Sequence, residues 1–194
     1  MTNLTNKNKI ALKILKDVQK DYNANNLAKI LKISSMGCLK ILKKLQSERI
    51  IKSKHFGKAV FYKPSFNSLS ESYFLYLLNV EKEEASAYTK RWIREVEKIK
   101  EAQIVILFGS VLTKGEKAQD IDVIFVIQPK NLQKLKEEVE RINTIAEKRI
   151  HPIYQTVSDF KKNIEDKNPA IIEAIRCLIL KGQDKFIQIL RGEK

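Results

Sequence analysis

Two aspartates one residue apart, Asp120 and Asp122, open the apolar stretch DIDVIFVI. On a strand, this i, i+2 spacing places both carboxylates on the same face. Two carboxylates so close together repel each other unless a cation lies between them, and Mg²⁺ is a hard ion that takes oxygen ligands. We therefore predict a Mg²⁺ site at this pair, with a solvent-exposed pair of aspartates at a strand end as the alternative.

A glycine and a serine, Gly109 and Ser110, end the preceding apolar run QIVILFGS. Nine residues separate Ser110 from Asp120. Glycine allows a close approach of the backbone to a ligand. Ser110 can bond a phosphate through its hydroxyl and its N–H, and a short helix over about residues 111–114 would direct its N-terminus at that phosphate. Both features predict a phosphate-holding turn beside the two aspartates.

The joint spacing of Gly109-Ser110 and Asp120-Ile121-Asp122 between two apolar strands resembles the signature of the nucleotidyltransferase superfamily related to DNA polymerase beta. The nearest likeness is to its minimal nucleotidyltransferase branch, over about residues 100–190. The resemblance implies that Gly109 and Ser110 hold a nucleoside triphosphate, with Lys114 as a nearby basic residue. It also implies that Asp120 and Asp122 are catalytic and bind the metal for nucleotidyl transfer to a protein or nucleic-acid acceptor.

Active members of this superfamily usually carry a third carboxylate on a later strand. The matching strand is HPIYQTV, which contains no Asp or Glu and whose polar members are His151, Tyr154 and Gln155. Asp159 follows it and is expected to cap the next helix. The resemblance therefore implies metal and nucleotide binding with transfer slow or absent. The alternative is a transcriptional regulator in which this domain is a catalytically inactive nucleotide sensor or a dimerisation body.

Strands and helices alternate from about residue 102 onward. An amphipathic helix over 131–149 turns Leu132, Leu135, Val139, Ile142 and Ile145 inward. HPIYQTV and CLILKG are further strands, with short helices between and after them. Residues 102–194 are therefore predicted to form a mixed sheet with helices, which the resemblance implies is nucleotidyltransferase-like, and the whole chain a two-domain protein of the α+β or α/β class.

Positive charge is concentrated in the first third of the 194-residue chain, which carries +14 overall. Residues 1–70 contain 15 Lys and Arg against three acidic residues. Such asymmetry predicts a module that binds a polyanion. A lysine-rich solvated surface is the alternative.

The pattern of this basic segment resembles a winged helix-turn-helix domain of the archaeal and bacterial regulator type. Helices are predicted over 7–20, 25–32 (with Leu27, Ile30 and Leu31 inward) and 36–47, with Ser34 or Ser35 as cap, followed by a hairpin about His55-Phe56-Gly57. Residues 1–66 form this predicted domain, which would bind double-stranded DNA. The resemblance implies that Ser34, Ser35, Met36 and Lys40 face bases, and that the phosphates are contacted by Lys43, Lys44, Lys52, Lys54 and Lys58.

Residues 67–101 are predicted to be a helical connector with apolar stripes, through which two copies of the chain form a homodimer. A third, weaker hypothesis makes the chain the antitoxin-like partner of a helical toxin. Two distant cysteines fit no metal-ligand spacing, no apolar run is long enough to span a membrane, and the N-terminus lacks a signal-peptide core. A cytoplasmic location is therefore expected.

Overall fold

Three helices and a β-hairpin follow one another through the basic segment. The computed structural model describes residues 4–17 and 19–192. Its first elements are α1 (Asn6–Lys16), α2 (Ala24–Leu31), α3 (Ser35–Ser47), β1 (Ile51–Phe56) and β2 (Ala59–Pro64). Each of the three helices begins at a polar cap, Thr5, Asn23 or Ser34, whose side-chain oxygen accepts a backbone N–H three residues later. The predicted helix-turn-helix and hairpin are both present.

The core of this segment comes from one face of each helix and from the hairpin. Its fully buried side chains include Ile14, Leu27, Leu42, Leu45 and Ile51.

Ile30, predicted to point inward, is instead 49% exposed. The buried stripe of the two-turn helix α2 runs through Leu27 and Ala28 toward Leu31, so Ile30 lies on its outer edge.

The hairpin strands pair antiparallel from Ile51 with Pro64 to Phe56 with Ala59. Gly57 adopts a positive φ of 57° in the turn between them, a conformation in which glycine has no side-chain penalty. The hairpin leads into α4 (Ser68–Glu83), where the buried Ser70 hydroxyl donates to the Ser65 carbonyl at 2.6 Å.

The remaining elements form a four-stranded sheet and its helices. In chain order they are α5 (Ala87–Glu97), β3 (Ile104–Phe108), α6 (Val111–Lys114), β4 (Ile121–Ile127), α7 (Leu132–Ile145), β5 (Ile150–Thr156), α8 (Val157–Glu165), α9 (Pro169–Ala174), β6 (Leu178–Lys181) and α10 (Gln183–Arg191). The strand order is β5-β4-β3-β6. β3 runs antiparallel to both β4 and β6, whereas β4 and β5 are parallel and joined through α7.

Helices cover both faces of this sheet. Side chains of α5 and α7, such as Trp92 and Val139, share one apolar cluster with Leu107, Val123 and Phe125 of the strands. Alternate strand residues point to opposite faces of the sheet, so each strand also presents apolar side chains away from α5 and α7. Helices α8 and α9 contact the strands on that second face.

Ile145, predicted to point inward, is 82% exposed. It lies about 80° around α7 from the buried line of Leu135, Val139 and Ile142.

The described residues contain ten α-helices and two sheets, so the chain is a mixed α and β protein. It divides into two compact units, Met1–Val80 with Leu190–Lys194, and Glu81–Ile189. We call them the basic unit and the sheet unit. The stretch predicted to be a connector is divided between them, with most of α4 in the first and α5 in the second. Over residues 4–17 and 19–192, no helix combines the length and the apolar character needed to cross a bilayer.

Candidate nucleic-acid interface and candidate metal centre

The residues predicted to face DNA bases lie at the start of α3. The Ser34 side chain accepts the Gly37 N–H at 3.1 Å, so its oxygen is used as the helix cap. A Cβ at Gly37 would lie 2.8 Å from this oxygen, and glycine therefore makes room for the cap. Ser35 and Met36 point outward, and Met36 is 65% exposed. Lys40 is exposed one turn further along.

The lysines predicted to contact DNA share two properties. All are exposed, and none forms an ion pair within the described part of the chain. They are Lys40, Lys43, Lys44, Lys52, Lys54 and Lys58. Three other lysines of the basic unit are paired with acidic residues: Lys7 with Glu48 at 2.5 Å, Lys13 with Asp17 at 2.7 Å, and Lys63 with Asp21 at 3.1 Å. Among the described residues, unneutralised charge therefore lies on α3 and the hairpin, and also at Lys20, Lys29 and Lys32.

A side-chain hydrogen bond ties the base of the hairpin to α3. Gln46 Nε2 donates to Ser53 Oγ at 2.9 Å, and Ile50 and Ile51 beside it are buried. These contacts hold the lysines of β1 next to those of α3, as one basic surface that a duplex could contact in groove and backbone together.

An exposed aromatic ring at the hairpin tip was not predicted to be a site residue. Phe56 is 50% exposed, and its ring packs edge-on against Phe61 with centroids 5.6 Å apart. Lys54 Nζ lies 4.7 Å from the Phe56 ring centroid. The sequence signal that could have found it is its position beside the turn glycine Gly57 and between Lys54 and Lys58.

In the sheet unit, strand register brings three parts of the chain together. Asp122 of β4 pairs with Phe108 of β3 on one side and with His151 of β5 on the other. Gly109 follows Phe108 directly, and Asp120 lies one residue before β4. The end of β3 and the starts of β4 and β5 therefore meet at one end of the sheet.

Three side chains at this end offer ligand atoms to a single cation. One atom each from Asp120, Asp122 and His151 lies within 4.8 Å of the other two. His151 Nδ1 lies 3.3 Å from Asp122 Oδ1. Ligands about 2.0–2.2 Å from one ion lie up to roughly 4.4 Å apart. A small closure of these side chains would fit one divalent cation.

Gly109 is needed for the approach of β3 to Asp122. Its φ is +77°, and a Cβ there would lie 2.1 Å from Asp122 Oδ2 and 2.9 Å from Asp122 Cγ. Any other residue would displace the carboxylate. The spacing between the glycine and the aspartates thus has a direct steric cause in this fold.

The other residues predicted to bind nucleotide are less closely placed. Ser110 follows Gly109 and makes no capping hydrogen bond through its side chain. Helix α6 is a single turn at the predicted residues. Lys114 is exposed at its end and, among the described residues, is not paired with Asp120 or Asp122. Gly109 therefore lies against Asp122, whereas the Lys114 ammonium forms no described ion pair with either aspartate.

A side chain from outside the motif fixes the loop before Asp120. The Lys148 ammonium donates to the carbonyls of Glu116 and Ala118. The Ile121 N–H donates to the Arg149 carbonyl at 3.0 Å. The entry to β4 is therefore bound to the segment that leads into β5, which positions the aspartates beside His151. Sequence patterns gave no signal for Lys148.

No carboxylate of β5 stands opposite the aspartates; that place belongs to His151. Asp159 is engaged elsewhere, as predicted. The Thr156 hydroxyl donates to its carboxylate at 2.6 Å in a capping box that starts α8, and this bond, with the Thr156 N–H, lowers the pKa of Asp159.

Tyr154 lies on the opposite face of β5 from His151. Its ring stacks on Phe125 with centroids 6.0 Å apart, and burial raises the pKa of its hydroxyl. It lines an open groove of about 480 Å³ between α7 and β5. That groove does not include the metal-ligand cluster.

Comparisons with known proteins add little. The chain matches no protein-family model. No curated protein matches it either. Among solved structures it is similar to two mutants of Lactococcus lactis ZitR. The identities are 17% and 19%, over 48% and 50% of this chain and 69% and 73% of those chains. Both TM-scores are 0.30, which does not establish a shared fold.

Proposed function

We propose that the protein binds double-stranded DNA through α3 and the β1–β2 hairpin, and acts as a transcription regulator. One observation carries this proposal. Six lysines of α3 and the hairpin are exposed and have no acidic partner among the described residues: Lys40, Lys43, Lys44, Lys52, Lys54 and Lys58. Unneutralised cations on a helix and an adjoining hairpin are suited to contact the phosphates of a duplex backbone.

In this proposal α3 enters the major groove. Ser35, Met36 and Lys40 face the base edges, where the Met36 thioether can contact a thymine methyl group. Ser34 contributes mainly by capping the helix. Lys43 and Lys44 of α3 and the hairpin lysines contact phosphates, so they set affinity and orientation more than sequence preference.

Duplex binding tests the proposal directly. Fluorescence anisotropy of a labelled 24-base-pair duplex of random sequence should give an affinity that falls steeply with salt. Affinity without salt dependence, or no binding at 50 mM salt, would refute the assignment of the basic surface.

A second candidate function belongs to the sheet unit. We propose that Asp120 and Asp122 bind a divalent cation together with the phosphates of a nucleotide held by Gly109 and Ser110. The supporting observation is the cluster of ligand atoms from Asp120, Asp122 and His151, against which the backbone of Gly109 packs. A bound cation would supply charge neutralisation between the carboxylates and the phosphates.

This candidate function is binding, with transfer slow or absent, because β5 offers no carboxylate to accept a proton from an attacking hydroxyl. Calorimetric titration of each nucleoside triphosphate in the presence and absence of MgCl₂ tests it. Asp122→Asn should remove cation-dependent nucleotide binding. A labelled covalent product from any triphosphate would instead establish transfer, and the same heat in the variant would place the site elsewhere.

We also propose a homodimer. Leu69, Leu75 and Tyr76 are large exposed apolar side chains of α4, and Leu69 and Tyr76 lie two turns apart on one face. Paired half-sites in DNA are commonly read by paired domains. Light scattering at micromolar concentration should give twice the mass of one chain, and Leu69→Lys with Tyr76→Lys should return it to one. A monomer in the unsubstituted protein would rule this out.

A further inference from the structure

We infer that His151 is a metal ligand, and that it makes the centre selective for a first-row transition ion, such as Mn²⁺ or Co²⁺, over Mg²⁺. This rests on the second candidate function, from which it takes the cation site, and it changes the identity of the cation.

The position of His151 is set by the backbone. It pairs with Asp122 in the parallel register of β4 and β5, and its side chain therefore emerges on the same face as that carboxylate. Nδ1 is the nitrogen that faces Asp122, at 3.3 Å from Oδ1. His151 is 71% exposed at its side chain, so packing does not explain its place.

The donor set decides which ion fits best. Two carboxylates alone suit Mg²⁺, which demands near-octahedral oxygen ligation and gives up its water reluctantly. An imidazole nitrogen is a softer donor that suits transition ions, whose affinities rise from Mn²⁺ toward Co²⁺ and beyond. Two oxygens and one nitrogen from one side leave the remaining positions open to water or to a phosphate oxygen.

No other side chain of the chain can supply this nitrogen in an equivalent way. The sequence has two histidines, and the other, His55, lies in the hairpin of the basic unit. This gives an internal control, because His55→Ala removes the same side chain without touching the cluster. The protein must carry no histidine tag, because histidines of a tag would bind the same ions.

The experiment is calorimetric titration of the full chain with MgCl₂, MnCl₂ and CoCl₂. The unsubstituted protein should bind Mn²⁺ about tenfold more tightly than Mg²⁺, and Co²⁺ more tightly still. His151→Ala should reduce this preference to near unity, whereas His55→Ala should leave it unchanged. Pulsed EPR of bound Mn²⁺ should detect a directly coordinated histidine nitrogen that is absent in His151→Ala.

His151→Asp is a second variant with an opposite expectation. It replaces the nitrogen by a third carboxylate, so Mg²⁺ affinity should rise and the preference for Co²⁺ should fall. Circular dichroism checks the fold of each variant. Because the His151 side chain is exposed, its substitution should leave the fold unchanged.

The outcomes separate this inference from the candidate function beneath it. Equal Mn²⁺ and Mg²⁺ affinities, or a preference unchanged in His151→Ala, overturn the role of His151 while cation binding at the aspartates stands. Failure of every ion to bind, or binding that persists in Asp120→Asn with Asp122→Asn, overturns the cation site itself and the inference with it.

Discussion

Neutralising two adjacent lysines of α3 gives the sharpest test of the nucleic-acid interface. Lys43→Gln with Lys44→Gln removes two exposed charges that have no acidic partner among the described residues. Their loss breaks no ion pair that the structure describes. The expected effect is therefore on DNA binding, with the thermal midpoint of unfolding close to that of the unsubstituted chain.

The magnitude follows from counterion release. Each neutralised phosphate contributes about −0.9 to the slope of log affinity against log salt. Five phosphate contacts, from Lys43, Lys44, Lys52, Lys54 and Lys58, would give a slope of about −4.5, and the double variant about −2.7. At 0.15 M salt the same relation weakens binding about 30-fold, or by about 2 kcal/mol.

Anisotropy titrations at five salt concentrations between 50 and 250 mM measure both quantities. The matched control is Lys130→Gln with Lys185→Gln, which removes the same charge from exposed lysines of the sheet unit. An unchanged slope in the α3 variant would refute the assignment of α3. Equal losses in the two variants would show that net charge, and not a particular surface, drives binding.

Three further outcomes are expected. Phe56→Ala should weaken duplex binding about fivefold, from loss of apolar contact worth about 1 kcal/mol, without changing the salt slope in the same titrations. Gly109→Ala should lower cation affinity in calorimetry, because the added Cβ would clash with Asp122. Gly57 also has a positive φ, but a Cβ there would meet nothing within 4 Å. Gly57→Ala should therefore leave cation affinity unchanged and lower the free energy of unfolding in urea by only the backbone cost of about 1 kcal/mol, which both variants share. Thr156→Val should lower the free energy of unfolding by about 1 kcal/mol at pH 6. Because the bond from Thr156 depresses the pKa of Asp159, its stabilisation is present above the ordinary carboxyl pKa. The difference in the free energy of unfolding between the unsubstituted protein and Thr156→Val, measured in urea, should therefore become smaller as the pH falls through the lowered pKa of Asp159.

Local patterns were enough to predict most of the elements. Polar caps, apolar periodicity and turn glycines place the three helices and the hairpin of the basic unit, and the single turn of α6 falls on residues 111–114. Errors occurred at the edges of apolar stripes. Ile30 and Ile145 fit a helical repeat but lie off the buried line, which depends on where each helix meets its neighbours.

The identity of the residue opposite the aspartates could not be predicted in the same way. β4 and β5 are parallel and separated by α7, so their register depends on how that helix packs on the sheet. A slip of one residue would place Ile150 or Pro152 opposite Asp122. The pairing of lysines with acids is equally non-local, since Lys7 and Glu48 meet only through the fold.

The two candidate sites should differ in how they respond to substitution. The basic surface consists of long side chains on a helix and hairpin, and each contributes a similar, separable share of binding. The metal-ligand cluster depends on backbone register at three strands and on one glycine that fits against Asp122. Single substitutions on the basic surface should therefore weaken DNA binding by about fivefold each and add up. At the cluster, one change at Asp122 should remove cation binding as completely as several changes combined, because the ligands share one ion.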